Sequence, residues 1–172
     1  MLQVKEGDLD KLVILFDRYQ QQIFGFLLKL SSDYDASQDL TQNVFIRIMK
    51  SRHTYKGEHQ FRTWIYQIAR NLFYDHYKKE MKSKDVFMKV ERMEDIDRDE
   101  IESYSEIEER EEQLRKALDQ LPDDKREVLV MSRYQGMKYE QIAEVTGLTV
   151  SNVKIKVHRA INSLREMYFQ TA

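Results

Sequence analysis

Apolar residues recur through the first thirty positions at Leu9, Leu12, Val13, Phe16, Tyr19, Ile23, Leu27 and Leu30. Steps of three and four are the period of a helix with one buried stripe. Residues 31–35 break the stripe. Asp35 is expected to cap a second helix that carries Ala36, Leu40, Val44 and Ile48 four apart. Residues 53–60, with Gly57, read as a loop, and 61–79 as a third helix.

Beyond residue 105 the helical pattern returns. Helix formers resume at 106–121, and Pro122 makes a sharp break. Asp123 or Asp124 is expected to cap a helix that runs to about Gln135 and stops at Gly136. A short helix over 139–146 ends at Gly147. A last helix spans 151–168, with Val153, Val157, Ala160, Ile161 and Leu164 facing inward. No stretch alternates with a period of two and no internal repeat occurs. The expected class is all-α: two small helical domains, the C-terminal one a helix-turn-helix.

Composition narrows the classes further. The 172 residues hold one Pro, five Gly and no Cys. A disulfide scaffold, a thiol nucleophile and a cysteine zinc site are excluded, and so few turn formers suit helices. No apolar run approaches the length of about 20 residues that a membrane span needs. Residues 1–10 are polar, so a cytoplasmic protein is expected. The formal net charge of −2 argues, as a total, against nucleic acid. Its distribution argues otherwise. Residues 47–84 hold 10 basic and 3 acidic side chains, and 85–113 hold 4 and 13. Residues 114–172 hold 10 and 7. The acidic stretch has few large apolar residues to offset ordering entropy. The expected organisation is therefore a domain over 1–84, a flexible acidic linker over 85–105 and a domain over 106–172.

Two segments carry chemistry. On the helix at 61–79, Phe61, Ile65, Ile68 and Leu72 share one face, expected to be core, with Trp64 at its edge. The opposite face collects Thr63, Tyr66, Arg70, Tyr74 and Tyr77, followed by Lys78, Lys79, Lys82 and Lys84. Aromatics interleaved with cations suit single-stranded nucleic acid, since bases stack while cations track phosphates. The plainer alternative is that these tyrosines lie along a neighbouring helix with their hydroxyls wet.

In the second segment, Ala143 permits close helix approach, Gly147 takes a positive-φ turn and Val153 packs back beneath the next helix. Thr149 or Ser151 can cap that helix. No acidic residue lies between Glu144 and Glu166, while Lys154, Lys156, Arg159 and Arg165 are basic. That is the charge pattern of a helix that enters a polyanionic groove.

These segments, in order, resemble the extracytoplasmic-function (ECF) group of bacterial sigma factors, the promoter-specificity subunits of RNA polymerase. Residues 39–48, with Asp39, Gln42, Val44 and Phe45, are similar to the helix that binds core polymerase. Residues 61–72, followed by Asp75 and Tyr77, resemble the segment that reads the −10 element. Residues 118–128, with Leu121 and Pro122, resemble the start of the second domain. Val153, Lys154, His158, Arg159, Ala160 and Leu164 resemble the −35 reader.

The resemblance implies partners and contacts: bacterial core RNA polymerase through Asp39, Gln42 and Phe45, and promoter DNA. The −10 set is Arg62, Tyr66, Arg70, Asn71, Tyr74, Tyr77 and Lys78, with residues 53–60 and the helix after them capturing bases flipped from melted DNA. The −35 set is Ser151, Asn152, Lys154, Lys156, His158 and Arg159. Ile155 offers apolar contact to a thymine methyl or packs inward. Lys138 stands where a Ser or Thr cap is usual. An anti-sigma factor is a further implied partner; no cofactor, metal or small-molecule substrate is.

Two other classes compete. An autonomous helix-turn-helix regulator needs a receiver, a ligand pocket or a dimer seam upstream, and residues 1–84 show neither a βαβ pattern nor heptads. An enzyme needs a site. His53, His59, His76 and His158 lack ligand spacing with acids, although His53 and His59 flank one loop. No Walker loop, nucleophile elbow or metalloprotease motif occurs, so a non-enzyme is expected.

Overall fold

A computed structural model describes residues 1–58, 60–87 and 106–170. The expected linker, beyond its first residues 85–87, lies outside the described residues, as does His59. Among the described residues every regular element is a helix, without a strand, and no helix is long and apolar enough to cross a membrane.

The N-terminal module begins with the single turn α1 (Leu2–Lys5), then α2 (Asp10–Ser31) and α3 (Tyr34–Ser51). Ser32 makes the bend between α2 and α3 at φ 57°, its N–H on the Leu28 carbonyl at 2.9 Å. Asp33 caps α3, accepting from the Ala36 N–H at 2.9 Å. The cap is thus Asp33, not the expected Asp35, because the helix starts two residues earlier and takes Asp35 into its first turn. A 3₁₀ turn (Arg52–Thr54) leads to α4 (Phe61–Phe87), which continues past its expected end.

The buried face of α4 differs from its expected one. Ile65, Tyr66, Ala69 and Phe73 are buried, while Ile68 and Leu72 are only half-buried. The buried centre lies about a quarter turn from the expected stripe. The cause is a second neighbour: α4 packs on α3 along one side and on the C-terminal module along another.

That module comprises α5 (Glu106–Asp119), α6 (Asp123–Leu129), a π-helical turn (Val130–Tyr134), α7 (Tyr139–Thr146) and α8 (Val150–Gln170). Pro122 stands at the α6 N-cap, with no side-chain cap bond. Gly136 (φ 60°) and Gly147 (φ 75°) close the turns that precede α7 and α8. Lys138, without a capping oxygen, is served instead by Gln141, whose Oε1 accepts the Lys138 N–H at 3.0 Å. Thr149 Oγ1 accepts the Asn152 N–H at 3.2 Å, which caps α8. Ile142, Val145, Val153, Val157 and Ala160 fill the space between α6, α7 and α8.

The two cores join. Buried Phe26, Leu27, Tyr66 and Phe73 form one cluster with Leu118, Leu121, Val130, Met131 and Met137. α2 meets α5, α6 and the π turn, and α4 meets α7.

Candidate nucleic-acid interface

Three open surfaces and one closed seam carry the residues of interest. The first surface is a groove of about 320 Å³ where the end of α3 and the 3₁₀ turn face α4. Arg47, Ser51 and Thr54 form one wall, and Trp64, Gln67, Ile68, Asn71, Leu72 and Asp75 the other. Trp64 brings an aromatic ring to the groove, backed by Tyr55 at 5.2 Å and Phe61 at 6.0 Å. Thr54 Oγ1 is held by the Ser51 carbonyl at 2.7 Å, which fixes that wall. The amides of Gln67 and Asn71 are exposed. Each offers a donor and an acceptor to the edge of a planar ring. Arg47 supplies a cation at the rim, Asp75 an anion.

The second surface is α8. Ser151, Asn152, Lys154, His158 and Arg159 are all exposed, and His158 meets Asn162 at 3.2 Å. Lys156 differs: it pairs with Asp124 of α6 and is half-buried. That bond depresses the Asp124 carboxyl below its ordinary value, against a smaller opposing effect of burial. Ile155 points to solvent at 47 % exposure, with Val150 beside the helix start at 41 %.

The third surface joins α2 and α3. Asp39 and Gln42 are exposed, whereas Phe45 is buried with its ring edge-on to Phe16 at 4.8 Å. Around them Val13, Phe16, Ile46 and Met49 leave large apolar surfaces in solvent. So many uncovered apolar side chains on one pair of helices exceed the scattered apolar exposure usual on a surface that meets only water.

The seam holds the rest. Tyr66, Arg70 and Tyr74, expected on a free outward face of α4, and Arg62, expected among the −10 contacts, lie against the C-terminal module. Arg62 donates to the Gln135 carbonyl, and Tyr66 Oη donates to Gln135 Oε1 at 2.6 Å. Arg70 pairs with Glu127, and Tyr74 Oη donates to the same carboxylate at 3.0 Å. Thr63, expected outward with them, is 4 % exposed. Tyr66 and Tyr74 therefore do run along the neighbouring module, but with their hydroxyls bonded rather than wet.

Burial pushes the Tyr66 phenol up to about 12, against the opposing Arg62 guanidinium. Burial and then Glu127 push Tyr74 up as well. Burial also raises Glu127, although Arg70 and Tyr74 both oppose it. Of the remaining −10 residues, Asn71 is in the open groove, Lys78 is exposed and Tyr77 packs on Phe73 with ring centres 5.0 Å apart. Arg47 and Gln67 were not singled out by periodicity. Both stand inside quoted motifs, but only the crossing of α3 and α4 brings them together.

An all-helical chain whose C-terminal helix-turn-helix is joined to a second helical module with its own polar, aromatic-lined groove is a two-module DNA-binding transcription protein. The comparisons with known proteins agree. Residues 15–83 match the Sigma-70 region 2 family and residues 111–164 the Sigma-70 region 4 family. The ECF RNA polymerase sigma factor SigX of Bacillus subtilis is 30% identical over 157 residues, covering 89% of this chain and 81% of its own. The RNA polymerase sigma factor YlaC of the same organism is 29% identical over 160 residues, 91% of each chain. The fold is that of the sigma factor RpoE from Bartonella quintana, solved with the anti-sigma factor NepR. The TM-score is 0.74 at 23% identity, over 88% of this chain and 92% of that one. CnrH, solved with the cytosolic domain of CnrY, gives 0.74 at 18% identity over 99% and 96%. The chain belongs to the ECF group of RNA polymerase sigma factors.

Proposed function

We propose that this sigma factor uses its three open surfaces for three separate tasks. Asp39 and Gln42, with the exposed apolar residues Val13, Phe16, Ile46 and Met49, bind core RNA polymerase, and Phe45, buried against Phe16, holds that face in place instead of touching the partner. The groove of Arg47, Trp64, Gln67 and Asn71 captures a base extruded from the melted −10 element. Ser151, Asn152, Lys154, His158 and Arg159 enter the major groove at −35, with Lys156 joining them by exchanging Asp124 for a phosphate. Arg62, Tyr66, Arg70, Tyr74, Tyr77 and Lys78 border the path of the −10 strand once the seam has parted. The modules correspond to residues 1–84 and 106–172, with 85–105 as tether. The protein works in the cytoplasm, catalyses no reaction of its own, and is restrained by an anti-sigma factor of the kind named with the two solved relatives.

The observation that carries this reading is the groove. Extruding a base costs a few kcal/mol, which a site must offset by stacking and by hydrogen bonds to the base edge. An aromatic ring, paired amides and a rim cation supply those interactions in one place. A 2-aminopurine placed in the −10 non-template strand tests it. Fluorescence should rise when core polymerase and this chain bind, and the rise should fall at least about tenfold with Asn71→Ala. An unchanged signal in Asn71→Ala and Gln67→Ala would remove the groove from the mechanism.

A further inference from the structure

Helix α8 turns Val153, Val157 and Ala160 into the core. At about 3.6 residues per turn, Ile155 lies roughly half a turn from that stripe, at the centre of the outward face. It is 47 % exposed. The positions that flank it three and four residues away are Ser151, Asn152, His158 and Arg159, all polar and all exposed. One β-branched apolar side chain is therefore ringed by hydrogen-bonding ones. A single apolar residue on a protein surface is ordinary. This one stands in the middle of the face proposed above to enter DNA.

The centre of such a face goes deepest into the groove. Lys154 and Lys156 stand about a quarter turn to either side of Ile155, toward the phosphates. Ile155 itself meets base edges. A hydroxyl, an amide or a guanidinium at that place could exchange hydrogen bonds with several of them. Isoleucine has none to give. The one alkyl group that a base presents in the major groove is the C5-methyl of thymine. Against that methyl, Ile155 gains contact and displaces no hydrogen bond. Against the amino group of cytosine or adenine, or the O6 of guanine, it excludes water and offers nothing in return. The same side chain thus attracts one base and penalises the other three.

We propose that Ile155 is a specificity-determining residue, selecting a thymine by its C5-methyl group within the upstream element that α8 reads. Asn152 and Arg159 beside it present an amide and a guanidinium to the adjoining bases. The role rests on the −35 reading above and names the chemistry that this reading selects.

The test removes the methyl group and nothing else. Core polymerase with the full chain is bound, at one fixed salt concentration, to a promoter from which the two together start transcripts. Each thymine of the −35 element, on either strand, is replaced in turn by deoxyuridine, which pairs as thymine does but lacks the methyl. At one position affinity should fall about fourfold, the worth of one buried methyl. With Ile155→Ser, the thymine and uracil promoters should bind alike at that position. A merely structural part for Ile155 would weaken both promoters equally and leave the fourfold ratio intact. Because Ile155 is exposed, Ile155→Ser should keep the helicity of the unaltered chain. A −35 element in which no thymine methyl matters would overturn the assignment, as would a ratio that Ile155→Ser leaves unchanged. Transcription that proceeds but ignores the methyl sinks the role of Ile155 alone. A chain that starts no transcripts with core polymerase sinks the −35 reading, and this role with it.

Discussion

Arg126 shows how a single side chain can fix an arrangement of helices. It is 9 % exposed, and its guanidinium donates to the carbonyls of Leu30 at 2.9 Å, Asp119 at 2.6 Å and Leu121 at 3.1 Å. Leu30 lies in the last turn of α2, Asp119 ends α5 and Leu121 lies in the turn after it, where carbonyls lack a helical partner of their own. Arg126→Met should therefore cost about 3 kcal/mol in chemical denaturation, since it leaves buried acceptors unpaired. On α8 the expected losses are functional. Lys154→Ala and Arg159→Ala should each weaken −35-dependent transcription by about 1–3 kcal/mol of contact energy while capture of core polymerase stays the same. Loss of both activities together would contradict the division of labour. The exposed set on α8 was legible in the sequence, because helical spacing and the absence of acids are local features. The partners of Arg62, Tyr66, Arg70 and Tyr74 were not. Glu127 lies 57 residues beyond Arg70, and no pattern within α4 announces it.

At the scale of elements, the helix-turn-helix was readable to within a residue or two because its turn depends on one backbone conformation. Gly147 sits at φ 75°, and a Cβ there would meet nothing within 4 Å. Gly147→Ala should then cost about 1–2 kcal/mol from backbone strain alone, measurable as a lower denaturation midpoint with an unchanged slope. The π turn and the rotation of α4 were not readable, since each answers to a neighbour from the other module. That neighbour also sets a pH dependence. Tyr66, Tyr74 and Glu127 all hold their protons more tightly at the seam than in solvent. Groups raised in this way favour closure fully below their open-state values and lose that contribution as pH rises through the closed ones. For Tyr66 the window runs from 10.0 to about 12. A pair of distance-reporting labels, one in each module, should report separation of the modules across that interval, together with the growth of tyrosinate absorbance. A distance constant across it would mean that these groups do not hold the seam.

Over the whole molecule, the charge of −2 resolves into acidic stretches at 1–46 and 85–113 and basic ones at 47–84 and 114–172. The total hides two modules suited to a polyanion. The fold leaves each an exposed surface, and a third, apolar one on α2 and α3 that is proposed above to meet the larger enzyme. The same three surfaces make a prediction about dependence. Asp39→Ala with Gln42→Ala should weaken capture of core polymerase in a pull-down by about tenfold, while the helix content stays unaltered. Promoter recognition is then a property of the assembly, not of the chain alone. The measurement that tests this most directly is run-off transcription on bacterial genomic fragments with core polymerase, in the presence and absence of this protein. The account predicts new start sites that need both proteins and share paired upstream elements at −10 and −35. No new start sites, or specific duplex binding by this protein without core polymerase at the strength seen with it, would contradict the account.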